Sequence, residues 1–308
     1  MKSWPNKPIF ESDFKYSSFD EAVATSTVNL EAGEYSATLL RDWCIGFVPH
    51  GGYLTSILLH VGTQHMISHP KLSKLNQPHP IHSAVTFLSR CVPGRAKLVA
   101  AVLKTGRQYT FLRVSLYQDV LCLEANIAFT HMTEHQKGPT LRTVLPPPPP
   151  PLTDGPWYTA EGDPLHDARP VSKKILYKVA PGSQFGSDKK NSPSVREQWV
   201  KMADGSKFSI ASLGYLSDMF LPLPENYDET SKTHWYPTLA LSIEVKRAPE
   251  GRGWDVLFCR VQSRVIENGR MDITIDVFDE QSRIVAISHH VAIIVDAARN
   301  RTKVAAKL

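Results

Sequence analysis

The sequence predicts a duplicated α+β fold: twice over, an antiparallel run of strands wrapped around one helix. Three observations carry this expectation. Four strand patterns and three turn signals recur in the same order in the two halves. One helical pattern precedes the long strands of each half. Six consecutive prolines, Pro146 to Pro151, divide the 308 residues near their middle. The expected organisation is an N-terminal unit over 1–135, a proline-rich linker over 136–170, a C-terminal unit over 171–297 and a tail over 298–308.

The first helix follows Pro49-His50-Gly51-Gly52 and runs through Tyr53 to Val61 with apolar residues at helical spacing. Two glycines allow close backbone approach. The free N–H groups and positive dipole end of a helix start suit an anion or a polarised carbonyl. Strands are then expected over 81–90, 97–104, 110–117 and 121–129, with breaks at Pro93-Gly94, Gly106-Arg107 and Asp119. The proline run can only be extended polyproline II, a stiff spacer or a surface strap. In the second half a helix is expected over about 210–220. Strands follow over 239–245, 254–266, 273–278 and 284–295, broken at Pro249-Glu250-Gly251, Gly269-Arg270 and Asp279.

Composition bounds the function. Apolar residues make up 42% of the chain, too many for a disordered one. No apolar run approaches the ~18 residues of a membrane span, and the start lacks a signal-peptide pattern. The net charge is +5, from 35 basic and 30 acidic residues, but Lys and Arg are scattered, which argues against a nucleic-acid partner. Cys44, Cys91, Cys122 and Cys259 form no Cys-x-x-Cys pair and read as reduced. His60, His65 and His69 lack an accompanying carboxylate in sequence, so no metal is expected. No Gly-x-Ser-x-Gly elbow, phosphate loop or dinucleotide fingerprint is present, so neither a serine nucleophile nor a bound cofactor is expected.

Several segments are specific. Phe47-Val48-Pro49-His50-Gly51-Gly52-Tyr53-Leu54 and Pro80-Ile81-His82 through Phe87-Leu88-Ser89-Arg90 stand in the first half. Trp199-Val200-Lys201 and Tyr215-Leu216-Ser217-Asp218, before Phe220-Leu221-Pro222, stand in the second. With these, the chain resembles the double-hotdog thioesterases, in particular the acyl-CoA thioesterase II-like group, from about Phe19 to Val295. The resemblance implies two hotdog halves side by side and an acyl-thioester site at their junction. It also implies a homo-oligomer and an acyl-CoA or related acyl thioester as substrate. In that group an Asp, a Thr or Ser and a Gln hold the attacking water. Asp218 matches the Asp, Ser242 falls at the hydroxyl position, and His290 falls at the Gln position.

His290 departs from the pattern. Neutral imidazole offers both a donor and an acceptor, as the Gln amide does, but it can also ionise. His289 and His290 are adjacent on a strand, so only one faces the site. The chemistry expected is attack of a water on the thioester carbonyl, with Asp218 as general base. His50, Gly51, Gly52 and Tyr53 are expected to bind substrate, the Gly52 and Tyr53 N–H groups serving the oxyanion. A second reading is a non-hydrolytic relative. It would act on a polyketide- or fatty-acyl-derived intermediate by proton transfer, dehydration or cyclisation, or only bind it. The last three residues, Ala306-Lys307-Leu308, are a close variant of the peroxisomal Ser-Lys-Leu address. They point to a peroxisomal import receptor, with a cytoplasmic location as the alternative.

Overall fold

The computed structural model describes residues 16–133, 138–141, 146–153, 157–158, 169–178, 194–227 and 234–298. Much of the expected linker and the tripeptide Ala306, Lys307, Leu308 lie outside the described residues. In the first half the elements are α1 (Phe19–Val23), β1 (Thr25–Asn29), β2 (Glu34–Leu39), α2 (Gly51–Ser68), β3 (His79–Phe87), β4 (Gly94–Lys104), β5 (Thr110–Tyr117) and β6 (Leu121–Thr130). In the second they are β7 (Ile175–Lys178), β8 (Val195–Met202), α3 (Ser212–Leu216), β9 (Thr238–Val245), β10 (Leu257–Gln262), β11 (Arg270–Phe278) and β12 (Ile284–Ile293). Among the described residues no helix is long and apolar enough to cross a membrane.

These strands form one antiparallel sheet in the order β1-β2-β4-β5-β6-β3-β9-β12-β11-β10-β8-β7, with Ile266–Glu267 added beside β11; Cys44–Ile45 pairs separately with Val48–Pro49, and His234–Trp235 with Val295–Asp296. Read from either edge inward, the two halves have the same order, and β3 meets β9 at the centre. The duplication extends to details. β3 carries a bulge between Pro80 and His82, opposite Phe129 and Ala128 of β6. β9 carries the same bulge between Thr238 and Ala240, opposite Ala292 and Val291 of β12. A bulge inserts one residue and reverses which face the following residues point to.

Helix α2 is buried nearly all round: Tyr53, Ile57, Leu58 and Val61 are 0% exposed, and so are Thr55 and Ser56. Such a helix belongs inside the curve of a sheet rather than on a surface. α2 runs longer than its sequence pattern, to Ser68, whereas α3 is only five residues, shorter than the expected 210–220. The turns flanking α3 are i→i+3: Leu213 N–H to Ile210 O before it, Asp218 N–H to Tyr215 O after it. Pro222 bars continuation of the helix, having no N–H and disfavouring helical backbone at Leu221. β10 is likewise shorter than the expected 254–266, because Trp254 pairs instead with Phe208 in an isolated bridge.

The proline run is a strap. Pro147 O accepts from Arg260 Nη1 at 2.6 Å and Pro150 O from Trp199 Nε1 at 3.1 Å. Trp199, Phe258 and Phe278 form a small apolar cluster apart from the main core, on the outer face of the second half. A buried ion pair ties the halves together. Lys174, just before β7, donates to Asp42 Oδ2 at 2.5 Å and to Ser17 O at 2.6 Å, beneath the Trp43 ring. The four cysteines are free and buried. Contrary to expectation, a carboxylate does approach the α2 histidines. His69 lies 3.6 Å from Glu31, and buried His65 shares a 2.9 Å hydrogen bond with the Tyr35 hydroxyl, partners supplied by β2 and the turn before it.

Candidate active site

The site forms where the start of α2 crosses the end of α3. Gly52 and Gly214 make the crossing possible. A Cβ on Gly52 would lie 2.7 Å from Gly214 O and 2.8 Å from Tyr215 O; one on Gly214 would lie 2.8 Å from Ser56 N. The Tyr215 N–H donates to Ser56 Oγ at 2.8 Å across the same contact.

This crossing carries Asp218 to the N-terminus of α2. Its Oδ2 accepts from the Gly52 N–H at 2.8 Å. Its Oδ1 lies 3.5 Å from Thr238 Oγ1 and 3.7 Å from His290 Nδ1. The carboxylate thus accepts a backbone N–H at the positive end of a helix, an arrangement that stabilises negative charge. His50 caps α2: its Nδ1 accepts from the Tyr53 N–H at 3.3 Å. Nε2 must then carry the proton of the neutral ring. It donates to the Asp218 carbonyl at 3.0 Å and lies 3.5 Å from Oδ2. Burial holds the His50 pKa below the ordinary value, against the opposing pull of Asp218.

A cavity of about 300 Å³ opens at the carboxylate. Ile45, Leu54, Phe87 and Leu123 line its first-half side, and Trp235, Met271, Ile273 and Ala292 its second-half side. His50, Gly51, Asp218 and Thr238 supply polar groups beside them. A concave, mostly apolar space with a few convergent polar groups is the usual form of a small-molecule site.

The expected residues divide three ways. Asp218, His50 and Gly51 meet on the cavity wall. His290 reaches Asp218 from behind the wall: it is 3% exposed, its Nε2 shares a 3.1 Å hydrogen bond with Ser288 Oγ, and its ring packs on Phe220. Burial pushes its pKa down to about 4, although Asp218 and the Ser217 backbone pull the other way. The ring is therefore neutral at pH 7. Gly52, Tyr53 and Ser242 stand elsewhere than expected. The Gly52 N–H is taken by Asp218 and the Tyr53 N–H by His50, so neither is open to a substrate oxyanion. The Tyr53 side chain points into the core, donating to Ala22 O at 2.9 Å and accepting from the Leu40 N–H at 3.2 Å.

Ser242 is paired with Ala84 and exposed His289, on the face turned away from the cavity, while Leu241 and Ile243 point inward. The hydroxyl beside Asp218 belongs to Thr238, which the sequence reading missed. The bulge at Leu239 puts Thr238 on the same face as Leu241, against simple alternation. The only sequence signal for it is its place directly after Trp235-Tyr236-Pro237, at the start of the strand.

Two curved half-sheets, each around one helix, with a carboxylate-bearing cavity at their junction, define a double-hotdog protein of the thioesterase class. Residues 39–130 match the family model described as the acyl-CoA thioesterase N-terminal domain, and residues 146–294 match the acyl-CoA thioesterase C-terminal domain. The chain belongs to the acyl-CoA thioesterase family. The thioesterase-like protein TwmA of Talaromyces wortmannii is 26% identical over 332 residues, covering 91% of this chain and 93% of that one. Two solved structures share the fold. A hot dog fold protein of unknown function from Alicyclobacillus acidocaldarius has a TM-score of 0.73 at 18% identity, covering 90% of this chain and 97% of that one. The acyl-CoA thioesterase II TesB2 of Mycobacterium marinum has a TM-score of 0.65 at 14% identity, covering 91% and 98%.

Proposed function

We propose that this protein hydrolyses an acyl thioester such as an acyl-CoA, releasing a carboxylic acid and a free thiol. The observation that carries the reading is the Asp218 carboxylate on the cavity wall, with Oδ2 anchored on Gly52 and Oδ1 facing Thr238. A water held by Oδ1 and the Thr238 hydroxyl attacks the thioester carbonyl while Asp218 takes its proton. The oxyanion that forms is offered the Gly51 N–H and the α2 dipole. The carbon–sulfur bond breaks, and the thiolate recovers the proton from Asp218. His290, neutral and behind the carboxylate, positions it.

The test is thiol release from a panel of acyl-CoA thioesters. Asp218→Asn keeps an acceptor for the Gly52 N–H but removes the base, and a loss of about 10²–10⁴-fold in kcat is expected. Full activity in a folded Asp218→Asn protein would overturn the assignment.

One observation favours a second reading. Asp218, on the cavity wall, is backed 3.7 Å away by a buried, neutral His290 where the resemblance implies Gln, so the carboxylate is the group placed to exchange a proton with a bound biosynthetic intermediate. Absence of thiol release from every substrate, with proton exchange into a bound acyl thioester, would support it. The same proposal includes a homo-oligomeric state, tested by light scattering. It also includes a peroxisomal location through Ala306, Lys307 and Leu308, tested by whether a fluorescent fusion loses its puncta when they are removed.

A further inference from the structure

The internal duplication shows what the cavity displaces. β6 and β12 are both ten residues long and share nearly the same burial pattern. Their bulged partners β3 and β9 match as well, which equates Pro80 with Thr238, Ile127 with His290, and Phe129 with Ala292. In the first half Phe129 is 0% exposed and lies against α2, where a Cβ on Gly62 would come within 2.9 Å of its ring. That half is filled. In the second half the equivalent position is Ala292, also buried at 1%, but it lines the cavity. The short α3 does not reach over it.

Ala292 sits between two other lining residues. It is the cross-strand partner of Thr238 on β9 and of Met271 on β11. Cross-strand partners share a face with Cα atoms about 4.5–5.5 Å apart. Thr238, Ala292 and Met271 therefore form one row of the cavity wall beginning at the hydroxyl beside Asp218, with Ala292 the smallest member. Ile273 stands in the next row, opposite His290. This end is enclosed: Met271 is 4% and Ile273 3% exposed, whereas Leu88, on the first-half side of the cavity, is 54% exposed.

We infer that Ala292 is the gate to the acyl-chain channel, the apolar acyl group running from Thr238 over Ala292 onto Met271 and Ile273, and the thiol carrier leaving past Leu88. This rests on the thioesterase reading for the identity of the ligand. The first half supplies the blocking residue: Ala292→Phe installs the side chain the fold already buries at the equivalent place.

The experiment measures kcat/KM for acetyl-CoA and decanoyl-CoA, and the binding of the corresponding non-hydrolysable CoA thioethers by calorimetry. In Ala292→Phe the decanoyl-to-acetyl ratio is expected to fall by about 100-fold or more, in both hydrolysis and binding, since each excluded methylene is worth about 10–200-fold. If Ala292→Phe does not fold, Ala292→Val is expected to lower the ratio about 10-fold. An unchanged ratio in a folded variant overturns the gate. Failure of the thioesterase reading looks different: thioethers bind with the predicted length dependence, yet no thiol is released from any thioester.

Discussion

Replacing Gly52 by alanine tests the helix crossing on which the site depends. The added methyl would stand 2.7 Å from Gly214 O, 2.8 Å from Tyr215 O and 2.7 Å from Asp218 Cβ, where ordinary contact begins at 3.4 Å. Two of these atoms are backbone, so no side-chain rotation relieves the clash and the helices must separate. Overpacking of this kind costs about 1–3 kcal/mol. The better helix propensity of alanine returns at most about 1 kcal/mol, and less in a first turn. A net loss of about 1–2 kcal/mol is expected in urea unfolding followed by tryptophan fluorescence. Activity should suffer more. Separation stretches the 2.8 Å bond that holds Asp218, and a displacement near 1 Å can cost about 10²-fold in rate. Gly214→Ala presses on the same crossing from the other side, 2.8 Å from Ser56 N. Because either variant already parts the helices, the double variant should cost less than the sum of the two. A Gly52→Ala protein as stable and as active as the parent would refute the reasoning, and strict additivity would refute the shared mechanism.

Two further outcomes follow from the site. Thr238→Val should lower kcat by at least about tenfold, whereas Ser242→Ala, on the opposite face, should leave thiol release unchanged; the reverse pattern would contradict the bulge at Leu239. His290 governs part of the acid sensitivity. Its pKa is about 4 in the folded protein against 6.5 unfolded, so the unfolded chain takes up the proton first. The stability of the neutral form is present above pH 6.5 and is lost as pH falls toward 4, by about 3 kcal/mol in all. His290→Gln should shrink the stability difference between pH 7.5 and pH 5 measured by denaturant unfolding. It should not abolish it, because His50 and His65 are shifted in the same direction by burial. An undiminished difference would place the titration elsewhere.

Much of this was legible in the sequence because period-2 and helical spacing are local properties. Strand 110–117 is predicted to the residue, and the order of strands and turns reveals the duplication before any coordinates. Asp218 is legible because a short, specific segment surrounds it. The failures have separate causes. Alternation along β9 places Ser242 and Thr238 on the same face, and one extra residue at Leu239 separates them; nothing in Pro237-Thr238-Leu239-Ala240 announces a bulge. In the sequence Gly52 and Tyr53 have the look of open donors because a helix start leaves N–H groups unpaired. The acceptor for Gly52 comes from the other half of the chain, 166 residues away, and that for Tyr53 from the ring of its own N-cap, His50.

The sequence by itself determined the class of fold, the duplication and the short segment that carries Asp218, the carboxylate on which the proposed chemistry rests, since each is written in spacing or in one short segment. Only the tertiary structure decided which hydroxyl meets that carboxylate, that His290 stands behind the wall rather than on it, and that the second half is hollow where the first is filled. The reason is physical: these depend on the depth at which two glycines let α2 and α3 cross, on a one-residue change of face in β9, and on an alanine standing where its duplicate has phenylalanine.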